Sequence, residues 1–361
     1  MNGADWPSSL HLVGSRALGG AERWVQRFTA ALAARDAPVT VGVRAGSAVA
    51  RLDMGGLALR TLPFRSVWDP ISRAAVTRLV REVRPAIVQT YMGRATRLTR
   101  LSGAHRPIHI ARLGGPYRLA PYRHADAWIG NTRWLCNWMV AQGMPAERVH
   151  HIYNFVDAAE PLPVDEIAAL RSRLLIPDNA LVMAALGRFV PVKGHEVLLS
   201  ALARLPTEIA GQSWRMVLVG DGPLRGALMR QSAELGIADR LVWAGWQRSP
   251  GAYLQLADLV VFPSRDAETL GNVILDAWAW RRPLVTTSFR GAREIARHGE
   301  DAWCVPCDDA PALAEGILQL LADQPLREAF ISRGAERAAT EFAQDGIMLQ
   351  YLALYRNLAR T

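Results

Sequence analysis

Short apolar runs alternate with amphipathic stretches along almost the whole chain, and this alternation limits the fold more than any other feature. Apolar runs of strand length separated by stretches of helix length are typical of α/β proteins, in which helices cover a parallel sheet. The first half therefore predicts one α/β domain, with strands over residues 10–13, 39–43, 86–89, 108–111, 127–129 and 149–152 and the clearest helices over 21–34 and 71–82.

A linker interrupts the alternation once. The stretch AAEPLPVDE after Asp157 contains two prolines and has no hydrophobic period, which is typical of a connection between domains. Beyond it the alternation restarts, with predicted strands over 182–186, 216–219, 241–243, 259–262 and 284–286 and predicted helices over 194–204, 223–235, 250–256 and 271–280. We predict two Rossmann-like, doubly wound α/β domains that face a central cleft, residues 1–160 and 161–340, and a C-terminal helix, 341–361, that crosses back to the first domain.

Positive charge is concentrated in the first domain. The chain has a formal net charge of +9, yet residues 1–160 hold 21 arginines against 10 acidic residues, whereas the remainder holds 21 basic against 23 acidic residues. A basic surface favours an anionic partner, such as an acidic membrane surface, a phosphorylated acceptor or nucleic acid. Because no nucleic-acid motif accompanies the charge, nucleic acid is not expected as a partner.

Three features indicate a cytoplasmic protein. The apolar runs are too short to span a bilayer, and the N-terminal residues lack a basic segment followed by a long apolar stretch. The three cysteines suggest no disulfide framework. The string WCVPC imitates a redox motif, but Cys304 ends an apolar strand ahead of Asp308 and Asp309 instead of opening a helix, so redox chemistry is not expected. We expect a cytoplasmic location, with peripheral contact with the anionic inner face of the membrane.

One cation differs from all the others, because Lys193 is the only lysine beside 41 arginines. A lysine binds phosphate as a compact point charge, and Arg188 lies five residues earlier in the same turn between a strand and a helix, GRFVPVKG. The following helix is predicted to start at Gly194, and helix N-termini attract anions. This turn therefore predicts a site for a diphosphate.

Two glycine-rich turns need to be distinguished. Gly19 and Gly20 follow the first predicted strand and precede a helix, so backbone amides there can approach a ligand closely, although a turn can also need glycine for its backbone conformation alone. The later segment VGDGPLRG imitates a dinucleotide fingerprint, but its third glycine, Gly226, comes one residue late and the segment follows the second strand of its domain. A nicotinamide or flavin cofactor is therefore not expected.

The segment PSRDAETLGNVILDAWA combines two carboxylates with a helix start. Glu268 lies in the predicted loop before the helix, Gly271 and Asn272 open the helix, and Asp276 lies about two turns further on. Such a loop can hold a carboxylate and backbone amides against a sugar, while a second carboxylate accepts hydrogen bonds from vicinal hydroxyls. Acidic residues near a helix start are also simply stabilising, so Asp276 alone fits a structural role equally well.

The motifs LGGAERWV, IYNFVD, GRFVPVKG, VGDGPLR, AGW and PSRDAETLGNVILDAWA together resemble the retaining GT-B glycosyltransferases of family 4. The variants QTYMGRA, ARLGG and ETLGNV are similar to those of bacterial enzymes that build lipopolysaccharide core or related surface glycans. The resemblance implies transfer of a sugar from a nucleotide-sugar donor to a hydroxyl of a glycan or lipid-linked acceptor, with retention of configuration. No Asp-x-Asp metal motif occurs, so no metal or other cofactor is expected.

The resemblance also implies roles for individual residues. Arg188 and Lys193 bind the diphosphate, and together with Glu268 they are the expected catalytic residues. Glu268 and three backbone amides hold the donor sugar, Asp276 the ribose, and Trp246 lies near the base. The whole expected donor site is Gly19, Gly20, Arg188, Lys193, Trp246, Glu268, Leu270, Gly271, Asn272 and Asp276. The expected acceptor residues, at strand ends of the first domain that face the cleft, are Tyr91, Arg94 and Arg112.

Several alternatives stay open. The family usually has Glu where this chain has Asp276, which is one methylene shorter, and a His in the region that reads HIARLGG here. His109 lies inside a predicted strand, where a local hydrogen bond is a simpler role than catalysis. Arg94 and Arg112 equally fit ordinary surface positions. The same fold also hosts nucleotide-sugar epimerases and non-catalytic nucleotide-sugar-binding proteins.

Overall fold

The chain forms two α/β units, each built on a largely parallel sheet with helices between its strands, as the alternating pattern predicts. The computed structural model describes residues 5–16, 19–52, 54–57 and 59–360. One unit consists of Met1–Asn154 and Gln344–Thr361, and the other of Phe155–Ala343.

The first unit has a seven-stranded parallel sheet with the strand order β3-β2-β1-β4-β5-β6-β7. Its strands are β1 (Ser9–Val13), β2 (Val39–Arg44), β3 (Leu59–Leu62), β4 (Ile87–Tyr91), β5 (Ile108–Leu113), β6 (Ala127–Gly130) and β7 (Val149–His151). Its first four helices are α1 (Gly20–Ala33), α2 (Pro70–Val83), α3 (Met92–Leu98) and α4 (Arg133–Ala141). The central strands β1 and β4 are buried along their whole length, as expected where helices cover both faces of a parallel sheet, and they include the buried polar residues Ser9, His11, Gln89 and Thr90.

The second unit has a parallel sheet with the order β11-β10-β8-β12-β13-β14, to which the short β9 adds an antiparallel partner for β10. Its strands are β8 (Leu181–Leu186), β9 (Glu208–Ile209), β10 (Gln212–Val219), β11 (Leu241–Gly245), β12 (Leu259–Phe262), β13 (Leu284–Thr287) and β14 (Trp303–Val305). Its helices are α5 (Val164–Arg173), α6 (His195–Leu202), α7 (Arg225–Glu234), α8 (Gly251–Leu256), α9 (Asn272–Ala279), α10 (Arg290–Ile295), α11 (Ala310–Ala322) and α12 (Gln324–Ala339).

The last helix, α13 (Gln344–Arg360), returns to the first unit, which confirms the prediction for the C-terminus. Two buried tyrosines hold it there. Tyr355 donates a hydrogen bond of 2.8 Å to the Gln89 side chain in β4, and the hydroxyl of Tyr351 accepts one of 3.0 Å from Arg112 in β5. Among the helices of the described residues, none is both long and apolar enough to cross a lipid bilayer.

The strand order of the second unit reverses between β8 and β12. The chain first adds strands on one side of β8 and then returns to place β12 on its other side, in parallel register. In open parallel sheets, ligands bind outside the carboxyl ends of the strands at such a reversal. The turn after β8 and the loop after β12 therefore lie where a ligand is expected.

Candidate active site in the second unit

The turn after β8 presents Lys193 at the carboxyl edge of the sheet. Pro191–Lys193 form a short 3₁₀ turn, and Gly194 then adopts a left-handed conformation with φ of 63° before α6 begins. A Cβ atom at Gly194 would lie 2.0 Å from the carbonyl oxygen of Pro263. Glycine is therefore needed here both for its backbone angle and for the close approach of the two loops.

Lys193 and Glu268 form an ion pair between these loops. The ammonium nitrogen of Lys193 lies 2.6 Å from Oε2 of Glu268, and the two side chains are only 20% and 17% exposed. Ser264 donates a weaker hydrogen bond of 3.4 Å to the same carboxylate oxygen. The ammonium also lies 4.9 Å from the ring centroid of Phe262, the last residue of β12. The structure thus brings together two of the predicted catalytic residues.

The third predicted catalytic residue, Arg188, lies in the same turn with an exposed side chain. Within the described part of the chain, its guanidinium has no hydrogen bond or ion pair, so it is available to an anion from solvent. Trp246, which follows β11, is 52% exposed at the same edge of the sheet. A large aromatic side chain that stays exposed is suited to stacking against a planar ligand.

Helix α9 starts where the sequence predicts. It begins at Asn272 after Gly271, whose φ is 76°, so the first-turn amides have no acceptor within the helix. Leu270 is buried, whereas Asn272 and Asp276 are half-buried. This geometry orients backbone N–H groups outward from the helix start, beside the loop that holds Glu268. The donor groups that these residues bind stay predictions.

The sequence did not indicate a role for Arg265, although it joins the two loops. Its backbone N–H donates to the carbonyl of Val192 at 2.8 Å, and its guanidinium donates to the carbonyl of Pro191 at 3.2 Å and to Asp308 at 2.7 Å. The hydrogen bond with Asp308 raises the pKa of Arg265 above its ordinary value. Since these partners lie more than 40 residues away along the chain, no local pattern could reveal this bridge.

Two glycines of VGDGPLRG, Gly220 and Gly222, allow close packing between loops. A Cβ atom at Gly222 would lie 2.5 Å from the carbonyl oxygen of Phe189. The amide of Phe189 donates to the carbonyl of Asp221 at 3.0 Å, and the amide of Leu224 donates to the carbonyl of Phe189 at 3.1 Å. These glycines therefore let the loop after β10 lie against the turn that holds Arg188, and they help to position that turn.

In the first unit, α1 begins at Gly20, one residue before the predicted start. Gly19 precedes it with an extended backbone, φ of −149°, so this position does not need glycine for a left-handed conformation. A Cβ atom at Gly19 would lie 3.1 Å from a carboxylate oxygen of Glu22. Leu18, the first residue of the motif LGGAERWV, lies outside the described residues.

The structure buries two of the three expected acceptor residues. Tyr91 is 2% exposed, and its hydroxyl is hydrogen-bonded to Gln89 at 2.6 Å and to His11 at 2.9 Å. Arg112 is 4% exposed, because α13 covers it and Tyr351 accepts its hydrogen bond. Both side chains are enclosed by packing that includes the C-terminal helix, and their acceptor role stays a prediction. Arg94 is half-buried and donates a hydrogen bond of 3.2 Å to the carbonyl of Gly14, so its acceptor role stays a prediction.

The surroundings of His109 and of the cysteine motif favour structural roles over catalytic ones. His109 is 1% exposed, lies 3.0 Å from the hydroxyl of Thr90 and has its pKa lowered to about 3, chiefly by burial. Cys304 lies in β14 as expected, and burial raises the pKa of its thiol to about 12, which suppresses the reactive thiolate. In the part of the chain that the structure describes, no three His, Cys, Asp or Glu side chains are grouped closely enough to hold a metal ion.

Comparisons with known families and relatives agree with this geometry. Residues 166–337 match the family described as Glycosyl transferases group 1, and residues 18–160 match Glycosyltransferase Family 4. The chain is 33% identical over 340 residues to the lipopolysaccharide core biosynthesis glycosyltransferase LpsE of Rhizobium meliloti (strain 1021), a match that covers 93% of this chain and 95% of that relative. It is 29% identical, with the same coverage, to LpsD of that organism, which has the same description.

Solved structures share the fold. The structure of Anabaena Alr3699/HepE in complex with UDP and glucose has a TM-score of 0.84 at 22% identity, covering 97% of this chain and 100% of that one. The structure of WaaG, a glycosyltransferase involved in lipopolysaccharide biosynthesis, has a TM-score of 0.70 at 17% identity, covering 94% of this chain and 99% of that one. At these identities the likeness is one of GT-B architecture.

Proposed function

We propose that this chain, which belongs to the group 1 and family 4 glycosyltransferases, transfers a sugar from a nucleoside diphosphate to a hydroxyl group of an acceptor. The proposed acceptor is the lipopolysaccharide core or a related lipid-linked glycan, and the configuration of the sugar is retained. The two relatives from Rhizobium meliloti support the acceptor class, because both are described as enzymes of lipopolysaccharide core biosynthesis. The UDP in the HepE complex makes UDP-sugars the first donors to examine.

The observation that carries the proposal is the contact between Lys193 and Glu268 at the carboxyl ends of β8 and β12. A lysine held at this edge beside the exposed Arg188 can bind a diphosphate, and the nearby carboxylate can accept hydrogen bonds from sugar hydroxyls. A donor bound here competes with Glu268 for the ammonium of Lys193. In our proposal, Lys193 then turns to the diphosphate while Glu268 contacts the sugar.

The remaining donor contacts that we propose come from the start of α9, from within that helix and from the residue after β11. The amides of Leu270, Gly271 and Asn272 would bind the donor sugar, and Asp276 would accept hydrogen bonds from the ribose. Trp246 would lie beside the base. We further propose that Gly19 and Gly20 of the first unit approach the donor phosphates through their backbone.

The chemistry that we propose needs charge stabilisation more than a protein nucleophile. As the bond between the sugar carbon and the diphosphate oxygen breaks, negative charge grows on the leaving group, and preplaced cations such as Lys193 and Arg188 stabilise it. The acceptor oxygen forms the new bond from the same face, and its proton passes to the departing phosphate. Because two side chains supply the positive charge, we propose that the reaction needs no divalent metal ion.

Titration calorimetry with UDP, GDP and ADP tests the donor site. We expect UDP to bind, and Lys193→Ala and Arg188→Ala to weaken it more than tenfold each, since each removes a charge-assisted hydrogen bond of about 1.5–3 kcal/mol. Arg204→Ala is the matched control, because Arg204 is an exposed arginine elsewhere in the second unit. Unchanged affinity in both site variants would overturn the assignment of the diphosphate site.

A transfer assay tests the reaction. UDP-glucose and a panel of other UDP-sugars are incubated with truncated core oligosaccharides, and the products are analysed by mass spectrometry and by NMR of the new anomeric proton. We expect an α-linked product from an α-linked donor, and unchanged rates in the presence of EDTA. A β-linked product would refute retention, and a loss of activity that Mg²⁺ restores would refute metal independence.

A further inference from the structure

We propose that Arg265 is a positioning residue, which holds the turn after β8 and the loop after β12 in the arrangement that sugar transfer needs. This role rests on the proposed function, because the turn carries Lys193 and the loop carries Glu268, the two side chains that we expect to contact the donor. Within the described residues, the guanidinium of Arg265 has no hydrogen bond to either of these side chains, so it acts on them through the backbone.

The backbone of Arg265 already links the two segments. Its amide donates a hydrogen bond of 2.8 Å to the carbonyl of Val192, the residue before Lys193. Its carbonyl accepts a hydrogen bond of 2.9 Å from the amide of Glu268. Because any residue except proline can make both bonds, they do not explain why an arginine occupies this position. The role of the side chain has to come from its own contacts.

The guanidinium of Arg265 adds a second point of attachment to the turn after β8. It donates a hydrogen bond of 3.2 Å to the carbonyl of Pro191, where the 3₁₀ turn that ends at Lys193 begins. A single hydrogen bond at Val192 lets the turn pivot, whereas bonds to two successive carbonyls fix its orientation. The planar guanidinium suits this task because its donors have a fixed geometry. The side chain of Arg265 therefore sets the direction from which Lys193 approaches a donor.

Two carboxylates hold the guanidinium of Arg265 in place. Asp308 accepts a hydrogen bond of 2.7 Å from its Nε, and Oε1 of Glu196 lies 4.0 Å from a terminal nitrogen. The backbone of Asp308 is left-handed, with φ of 59°, which is unfavourable for a residue other than glycine. Such a conformation persists only where surrounding contacts require it, and it is frequent at functional sites. Unlike the charge of Arg188, that of Arg265 is thus already paired, which favours support over donor binding.

The loop after β12 is held on its other side by contacts that do not involve this guanidinium. The carbonyl of Ser264 accepts a hydrogen bond from the hydroxyl of Thr287 at the end of β13. A carboxylate oxygen of Asp266 lies 2.8 Å from the guanidinium of Arg293 in α10. Removal of the Arg265 side chain should therefore loosen the turn after β8 while the loop keeps its place.

The single lysine of the chain gives a direct test in the free protein. Selective isotope labelling of lysine yields one backbone amide signal, that of Lys193, and its hydrogen exchange reports local opening of the turn. We expect Arg265→Met to speed this exchange by at least about tenfold, because a hydrogen bond from a charged group is lost. The matched control is Arg171→Met, since Arg171 also donates to a backbone carbonyl, that of Pro177 at 3.1 Å, but before the amino end of β8. Its exchange should stay within about twofold of wild type.

Activity distinguishes positioning from donor binding. With the UDP-sugar and core oligosaccharide that prove active, the kcat of Arg265→Met should fall about tenfold, because small displacements of a catalytic group slow a reaction strongly. Its affinity for UDP should stay within about threefold of wild type, since the flexible ammonium of Lys193 can still reach a phosphate. Asp308→Asn keeps the shape of its side chain and should change exchange and kcat in the same direction. The double variant should be no slower than Arg265→Met, because Asp308 acts through that guanidinium.

Three results would each refute the positioning role. They are exchange at Lys193 that Arg265→Met leaves unchanged or that Arg171→Met speeds equally, an unchanged kcat, and a loss of UDP affinity as large as that of Lys193→Ala. The last result would make Arg265 a direct ligand of the donor. Wild-type protein that neither binds UDP nor transfers a sugar would overturn the proposed function instead, and the exchange measurement would still decide whether Arg265 holds the turn.

Discussion

Lys193 and Glu268 show what a single residue can and cannot reveal in the sequence. The identity of the only lysine, its turn and the acidic loop were sufficient to predict a diphosphate and a sugar site. Their contact was not predictable, because it joins positions 75 residues apart through the pairing of β8 with β12. Hydrophobic periodicity predicts that strands exist, but it does not give their order in the sheet.

The ion pair should stabilise the free protein measurably. In a double-mutant cycle with Lys193→Met and Glu268→Gln, we expect a coupling of about 1–2 kcal/mol in the free energy of unfolding, because both side chains are largely shielded from water. Urea denaturation of the four proteins measures it. The exposed pair Arg225 and Asp221, whose charged atoms lie 3.8 Å apart, is the control and should give a coupling near zero. Equal couplings in the two cycles would contradict the view that burial strengthens the pair.

Gly194 should tolerate substitution less well than an unconfined glycine. Gly194→Ala places a Cβ in a left-handed backbone and 2.0 Å from the Pro263 carbonyl, whereas Gly299, with φ of 76°, has no atom within 4 Å of such a Cβ. We expect Gly299→Ala to lower the free energy of unfolding by about 1–2 kcal/mol and Gly194→Ala by clearly more. Urea denaturation checks both. A smaller loss at Gly194 would show that the two loops can separate without cost.

At the scale of elements, clear apolar runs were predicted well and short or polar elements were not. The run LVVF gave β12 with the bounds that the structure shows, since Asp258 and Pro263 delimit it. The strand β3 was missed because its sequence LRTL has two exposed positions at the edge of the sheet. Helix α3 was missed because seven residues are too few to establish a helical period.

Helix α13 should depend on its buried tyrosines. Tyr351→Phe removes the hydroxyl that accepts from Arg112, which is 4% exposed, so we expect a loss of about 1–3 kcal/mol in the free energy of unfolding. Leu349→Ala on the exposed side of the same helix should change it by less than about 0.5 kcal/mol. Denaturant unfolding of the two variants measures both changes in the free energy of unfolding. An unchanged free energy of unfolding in Tyr351→Phe would mean that the contact does not help to hold α13 in place.

At the scale of the whole molecule, the alternating pattern predicted both doubly wound sheets and the return of the last helix. It did not reveal which side chains that helix covers. Tyr91 and Arg112 were expected at ligand-facing strand ends, yet the contacts of α13 enclose both of them. Long-range packing of this kind depends on the register and tilt of a helix, which composition and periodicity leave undetermined.

The buried histidines make the stability of both units depend on pH. Burial lowers the pKa of His11, His109 and His195 to about 3, whereas an unfolded histidine titrates near 6.5. Below pH 6.5 the unfolded chain therefore binds protons that the folded chain does not, so the stabilisation is complete above pH 6.5 and is lost progressively as the pH falls towards 3. Each histidine contributes a slope of at most about 1.4 kcal/mol per pH unit.

His195 offers the cleanest test of this dependence. Within the described residues neither of its ring nitrogens has a hydrogen-bond partner, and the ring packs edge-on against Phe189 with centroids 4.9 Å apart. His195→Phe removes the titrating group from an apolar setting, so between pH 7 and 5 the variant should lose about 2 kcal/mol less stability than wild type. Urea unfolding of both proteins at the two pH values measures the difference. Identical pH dependence would mean that His195 takes up its proton as readily in the folded chain as in the unfolded one.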